Sequence, residues 1–275
     1  ATLAQVGTAP DGRPIYRRVD FSDADCVADP SSAACSTRGF DNDFILTNSD
    51  GGEQFVASLA LSKEYEFGLD WSLAYAFVDS TDVNPMTSSV AFSNWVNRTA
   101  SDLNNPEEAT SNYEIPHRFT GSISYEHNFF GDFATRFTLF GQAFQSRPYS
   151  FTFNNASSDM FGDGQIYAHL LYVPELNDAG VTYDAGFDLA GFNAFIDEYE
   201  LDRGMIAPRN SIDGSWTNKF DLRIEQEFPG VMGGHKTAGF LVIENVANMI
   251  DDSWGVLYQS PFPQSSGVVE ASIDP

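Results

Sequence analysis

Apolar and polar residues alternate along several stretches of this chain. In "FVASLALSKEY" (55–65), Phe55, Ala57, Leu59 and Leu61 share one parity, and Val56, Ser58, Ala60 and Ser62 the other. "LDWSLAYAF" (69–77) sets Leu69, Trp71, Leu73, Tyr75 and Phe77 against Asp70, Ser72, Ala74 and Ala76. Residues 117–127 set Phe119, Ile123 and Tyr125 against Arg118, Thr120, Ser122, Ser124 and Glu126. Residues 134–144 set Phe137 and Leu139 against Arg136, Thr138 and Gln142, with Phe140 and Phe144 on the polar parity. "FDLRIEQEF" (220–228) alternates likewise, whereas "TAGFLVIENV" (237–246) is apolar on both parities. A period of two predicts strands whose faces meet different environments. About eight strands are expected, at 43–63, 68–78, 116–128, 132–146, 216–228, 236–246, 253–259 and 267–273.

The connections are asymmetric. Short turns ("SKEYEFG", "HNFFGDF", "FPGVMGGHK") close the hairpins, and long loops at 79–115 and 147–215 join them. Outer-membrane barrels place short turns on the periplasmic side and long loops outside. Aromatics gather at the short turns (Tyr65, Phe67, Trp71, Phe129, Phe130, Phe133, Phe228), where an interfacial girdle is expected. A small core beneath each turn is the alternative. Arg118, Arg136 and Arg223 avoid the apolar parity, where a basic residue at the bilayer midplane would cost about 2–4 kcal/mol. The expected fold is therefore all-β: a transmembrane antiparallel β-barrel segment with long extracellular loops. Phe119, Ile123, Tyr125, Phe137 and Leu139 are expected to face lipid. Arg118, Ser122, Glu126, Arg136 and Gln142 are expected to face a wet or plugged lumen.

Composition narrows the function. The chain has 14 Lys+Arg against 39 Asp+Glu, a formal charge of −25, so a phosphate-binding surface is absent and no nucleic-acid partner is expected. Residues 175–202 hold eight acidic side chains and no Lys or Arg. Within them, Phe192, Phe195, Ile196 and Tyr199 recur at three to four residues, predicting a short amphipathic helix packed on the barrel rim. The chain opens "ATLAQVG" without Met, which reads as a mature product or internal fragment. Residues 1–42 read as an extracellular loop, and 43–275 as the strand region. Cys26 and Cys35 are expected to form a disulfide suited to the periplasm or cell surface, closing a loop of about 10 residues. Two free thiols are the alternative.

Several segments in order resemble Oar-like TonB-dependent outer-membrane receptors, in the C-terminal part of the barrel. They are "LTNSDGGEQFVASLALSKEYEFGLDWSLAYAFVDSTDVNP" (46–85), "SNW" (93–95), "PHRFTGSISY" (116–125), "SRPYSFTFN" (146–154), "LLYVP" (170–174), "APRNS" (207–211), "WTNKFDLRIEQEFPG" (216–230) and "IENVANMIDDSWG" (243–255). The resemblance implies a barrel of about 22 strands, filled by an N-terminal plug and energised through TonB. It implies ligand capture at the surface and passage to the periplasm, in a bacterial outer membrane. This chain shows no plug or TonB-contact segment and ends "VVEASIDP" without a terminal aromatic strand, so it is expected to be one piece of a barrel. Its expected partners are outer-membrane lipid, the rest of the barrel, TonB through a plug outside this chain, and an extracellular ligand. A surface adhesion or structural barrel without active transport is the alternative.

No G-x-S-x-G, H-E-x-x-H or G-x-x-x-x-G-K-[ST] motif occurs and the four histidines are scattered, so no enzymatic activity or catalytic residue is expected. Outer-loop aromatic and Arg residues are the candidate ligand contacts: Trp95, Arg147, Tyr149, Tyr172, Arg209 and Trp216. The alternative is that they stitch loops onto the rim. In "NNASSDMFGDG" (154–164), Asn155, Asp159 and Asp163 offer hard oxygen ligands for calcium. Their spacing is not that of an EF-hand, and a plain Asp/Gly turn is the competing reading. Asp23, Asp25 and Asp29 form a weaker cluster of the same kind. No cofactor or resident metal is expected beyond that calcium candidate.

Overall fold

The computed structural model describes residues 3–18, 28–29, 44–155, 159–165 and 168–273. The expected Cys26–Cys35 bridge, and Asp23 and Asp25, lie outside them. The chain is all-β, with a large antiparallel sheet and a folded cap. Two strands, β1 (Leu3–Thr8) and β2 (Pro14–Arg18), form a hairpin within the segment expected to be loop. The wall follows: β3 (Gln54–Glu64), β4 (Leu69–Asp82), β6 (His117–Phe130), β7 (Phe133–Gln145), β11 (Trp216–Pro229) and β12 (Lys236–Ile243). They pair in the order β12-β11-β7-β6-β4-β3. The short β5 (Ala109–Thr110) adds to the C-terminal end of β4.

Register makes each face continuous. On one, Leu61, Leu73 and Gly121 align across three strands, then Ile123, Leu139 and Leu222, then Tyr125, Phe137 and Ile224. On the other, Ser62, Ser72 and Ser122 align, then Glu126, Arg136 and Glu225. The pairing Ile224↔Leu241 settles the ambiguous strand: Leu241 and Ile243 join the apolar face, Phe240 and Val242 the polar one. The apolar face is uncovered; Leu59 is 62% and Ile123 47% exposed. The polar face is uncovered too, and its charges pair across strands, as where Arg136 Nε donates to Glu126 Oε2 at 2.9 Å. Phe144 on that face lies under the Arg118 guanidinium at 4.9 Å, a cation–π contact that accounts for its parity.

Rings collect at both ends of the strands. Near the short turns stand Tyr65, Phe67, Phe129, Phe130 and Phe228, all exposed. At the opposite end, next to the cap, Tyr75, Phe77, His117, Phe119 and Trp216 touch in series, His117 lying between Tyr75 and Trp216 with ring centroids 6.1 Å from each. At about 3.3 Å per residue, the run from Phe119 to Phe129 spans about 33 Å along the strand.

The sheet is open. Among the described residues β3 and β12 each have one neighbour only, and no closed barrel forms. The expected count of about eight wall strands is corrected to this six-strand path. Residues 253–259 form no strand: Asn245 takes a left-handed turn (φ 52°), and the Asn245 and Asn248 side-chain amides both donate to the Trp254 carbonyl. That turn directs the chain away from the ladder. Residues 267–273 overlap β13 (Ser265–Val269), which pairs in parallel with β8 (Ser150–Phe153) in the cap instead of joining the wall. The first wall strand starts at Gln54, well after residue 43.

The buried hydrophobic core sits in the cap, where the long loops fold together. Its centre is Phe151, Phe153, Leu171, Val173, Phe192, Ile196 and Ala207. The cap also holds helix α1 (Ala91–Val96), helix α2 (Leu189–Glu198) and the two-residue strands β9 (Tyr172–Val173) and β10 (Met205–Ile206), of which α2 and β9 contribute to this core. The expected amphipathic helix is α2. Asp188 caps it by accepting from Gly191 N at 2.9 Å, Phe192 and Ile196 are buried, and Phe195 and Tyr199 pack their rings on Phe151.

Candidate functional site

The cap is the part of the molecule with buried chemistry, and most of the candidate ligand residues lie in its seams. The Trp95 indole donates to the Asp163 carbonyl at 2.9 Å, joining α1 to the 159–165 turn. Arg209 is 6% exposed: it pairs with the Asp82 carboxylate at 2.9 Å and donates to the Asp82 and Ala109 carbonyls. Arg147 lies over the Tyr113 ring at 5.5 Å. Tyr149 packs on Phe151, and its backbone pairs with Ile212. The Tyr172 hydroxyl donates to Asp178 at 2.7 Å, and that bond, with burial, pushes its phenol up to about 12. Trp216 stands apart from the others, in the outer aromatic belt against His117 and Phe119. The six are not gathered around a common cavity. Five of them tie cap segments together, and the sixth belongs to the wall.

A denser cluster lies beneath Trp95. Ligand atoms of Asp159, Asp163 and His169 all fall within 4.8 Å of one another. Asp163 and His169 are buried, and Asp159 stands at the surface. Asp163 Oδ1 accepts from Gln165 N at 2.9 Å and lies 3.2 Å from His169 Nε2. Asp159 Oδ2 accepts from Gly164 N at 3.0 Å, bending the turn over the pair. Although Asp159 as a whole is exposed, its carboxyl is partly desolvated against the turn, and that, with the Asp163 charge, raises it above its usual range. Asn155, expected beside these two aspartates, is held elsewhere. Its amide donates to the Ala271 carbonyl at 2.6 Å and accepts from Ala271 N at 3.0 Å. His169 occupies the place that sequence reasoning gave to Asn155. The signal for it was a histidine inside the apolar run "AHLL" (168–171).

Two further cap segments converge on this cluster. From the β1–β2 hairpin, Arg13 donates to the Leu170 carbonyl at 2.8 Å and lies 4.2 Å from the Phe161 ring centroid. Tyr16 N donates to the Phe161 carbonyl at 2.7 Å, and the Tyr16 hydroxyl reaches Asp102 at 2.9 Å. Burial pushes that phenol up to about 12, with Asp102 adding to the effect. From the loop after α1, the Arg98 carbonyl accepts from Gln165 Nε2 at 2.5 Å, and Ala100 bridges to His169. Burial, and then the nearby Arg209, bring the Arg98 guanidinium down to about 10. His169 Nδ1, Gln165 Oε1 and Arg98 Nε are buried without a hydrogen-bond partner.

Comparison with protein-family models, with curated proteins and with solved structures gave no match.

Proposed function

We propose that this chain supplies part of the wall and outer cap of an outer-membrane β-barrel of the TonB-dependent receptor type, which binds a ligand at the cell surface and passes it to the periplasm. The observation that carries the membrane part of this reading is the wall itself. One face is continuously apolar and uncovered, bounded by two rings of aromatics, and the other is polar with paired charges. A soluble sheet exposing that much apolar surface would aggregate, whereas lipid on one side and a wet lumen on the other satisfy both faces. The open edges at β3 and β12 support membership of a larger barrel. Unpaired backbone groups in lipid cost several kcal/mol each, so further strands must pair with both. The resemblance in sequence motifs supports the receptor part, with about 22 strands in the complete barrel and a plug region outside this chain contacting TonB. The reaction is transport without covalent chemistry.

Washing the membrane fraction of the producing cell with high salt and alkaline carbonate tests the first part. Retention until detergent is added is expected; release by salt alone would overturn the membrane reading. Ligand uptake in cells with and without functional TonB tests the second. Uptake that persists unchanged would overturn the TonB part of the reading, and a cell-contact defect without any uptake defect would favour a surface adhesion barrel.

A further inference from the structure

We infer that Asp159, Asp163 and His169 form a binding site for a borderline divalent transition cation of the zinc or cobalt class, which clamps the 159–165 turn of the cap to the 168–171 segment. Neither the wall nor the proposed transport requires it.

The donor set selects the metal. Two carboxylates and an imidazole, with ligand atoms within 4.8 Å of one another, need only small side-chain rotations to approach a common ion at about 2.0–2.2 Å. Calcium takes oxygen ligands only, and the side chain that could supply a third oxygen, Asn155, is committed to Ala271. Imidazole with carboxylates suits the first-row cations instead.

Two further observations point to a ligand. His169 is 2% exposed, and its Nε2 faces the Asp163 carboxylate at 3.2 Å, the spacing of two donors that share one ion at about 2.0–2.2 Å. Beside it Gln165 is fully buried with Oε1 unpartnered, an uncommon state for a buried polar atom that a bound ion or its water would satisfy.

The site also has a way in. Asp159 is exposed at its mouth, while Asp163 and His169 are enclosed by the Trp95, Phe161 and Arg13 side chains. A cation there joins the 159–165 turn to the buried 168–171 segment. Through the contacts of Asp163, His169 and Phe161 it fixes the loop after α1 and the β1–β2 hairpin.

The test is titration of the purified chain in detergent with zinc, cobalt(II) and calcium chlorides, on the parent and on Asp159→Asn and His169→Gln variants. A single zinc or cobalt ion per chain is expected, with calcium unable to compete at equal concentration. Asp159→Asn, at the exposed mouth, should weaken zinc binding by roughly tenfold or more. Cobalt should shift an exchangeable imidazole proton in the parent, a signal that His169→Gln removes. Should that variant fail to fold, the cobalt spectrum of the parent and the Asp159→Asn affinity decide. Absence of stoichiometric binding, preference for calcium, or unaltered zinc affinity in Asp159→Asn would overturn the site. Each of these results leaves the membrane reading untouched.

Discussion

Phe220 lies against Gly141 on the neighbouring strand: a Cβ placed on Gly141 would come within 2.8 Å of the ring. Gly141 in turn pairs with Gly121, so two facing glycines leave a shallow bed on the apolar face, and the aromatic ring fills one side of it. An aromatic covering a strand glycine restores packing that the glycine itself cannot provide. Gly141→Val should displace the ring and destabilise the wall by about 1–3 kcal/mol. Loss of heat-resistant mobility at a lower temperature than the parent is the readout, and Gly131→Ala, in a turn with nothing within 4 Å of its Cβ position, is a useful contrast. That glycine has φ 68°, so its cost is backbone strain without a clash.

Arg209 should matter to the cap as a strut. It is buried, holds the Asp82 carboxylate and caps two carbonyls, and Asp82 Oδ2 already lacks a partner. Arg209→Ala would leave a carboxylate without its cation, a loss of about 3–5 kcal/mol for a fully buried pair and less here because Asp82 is partly exposed. Limited proteolysis should then cut the 83–116 and 154–215 regions while the wall strands stay protected. Cap protection equal to the parent would show that the strut is dispensable.

Glu114 gives the cap a pH dependence of known sign. Its carboxyl is raised above the ordinary 4.5 by burial first, and by Asp79 and Asp213, despite accepting from Ser80 N. The folded state therefore holds this proton more tightly than the unfolded chain does. The contribution to stability is present below the unfolded value and is lost as pH rises through the raised folded value. Glu114→Gln keeps a neutral acceptor for Ser80 and should flatten the fall in cap stability between mild acid and neutral pH. Parallel thermal melts of parent and variant across that range check it; identical slopes would contradict it.

Much of the wall was legible in the sequence because a period of two is a local signal. Leu59 with Leu61, or Ile123 with Tyr125, needs no knowledge of any other strand. The outer aromatic belt was not legible, since Tyr75, His117 and Trp216 come from three strands and only register brings them together. Trp216 consequently read as a ligand contact. The helix at Leu189–Glu198 showed through its spacing of three to four, but β8, β9, β10 and β13 are five residues or fewer and depend on partners far along the chain. Residues 253–259 misled for the opposite reason. "SWGVLYQ" has strand-like residues, but the turn set by Asn245 and Asn248 takes the Trp254 carbonyl out of any ladder. The metal candidate was half visible. Two aspartates announced themselves in a turn, whereas the buried histidine was hidden among apolar neighbours.

A charge placed on either face should separate the two environments energetically. Ile123→Arg puts a guanidinium on the apolar face between the two aromatic belts, and about 2–4 kcal/mol of stability should be lost if that face meets lipid. Ser122→Arg, one residue away on the face that already holds Arg118 and Arg136, should cost far less. Denaturant unfolding of each variant from lipid vesicles measures the difference, and equal costs would remove the distinction.

The most direct test of the wall is solvent access at those same neighbouring positions in envelopes of the producing cell. Nitroxide labels on Ile123→Cys and Ser122→Cys, read against dissolved oxygen and a water-soluble nickel chelate, report lipid and water respectively. Oxygen should relax the label at 123 and the nickel chelate the label at 122. Equal access of the nickel chelate to both positions would contradict a wall with lipid on one side and water on the other.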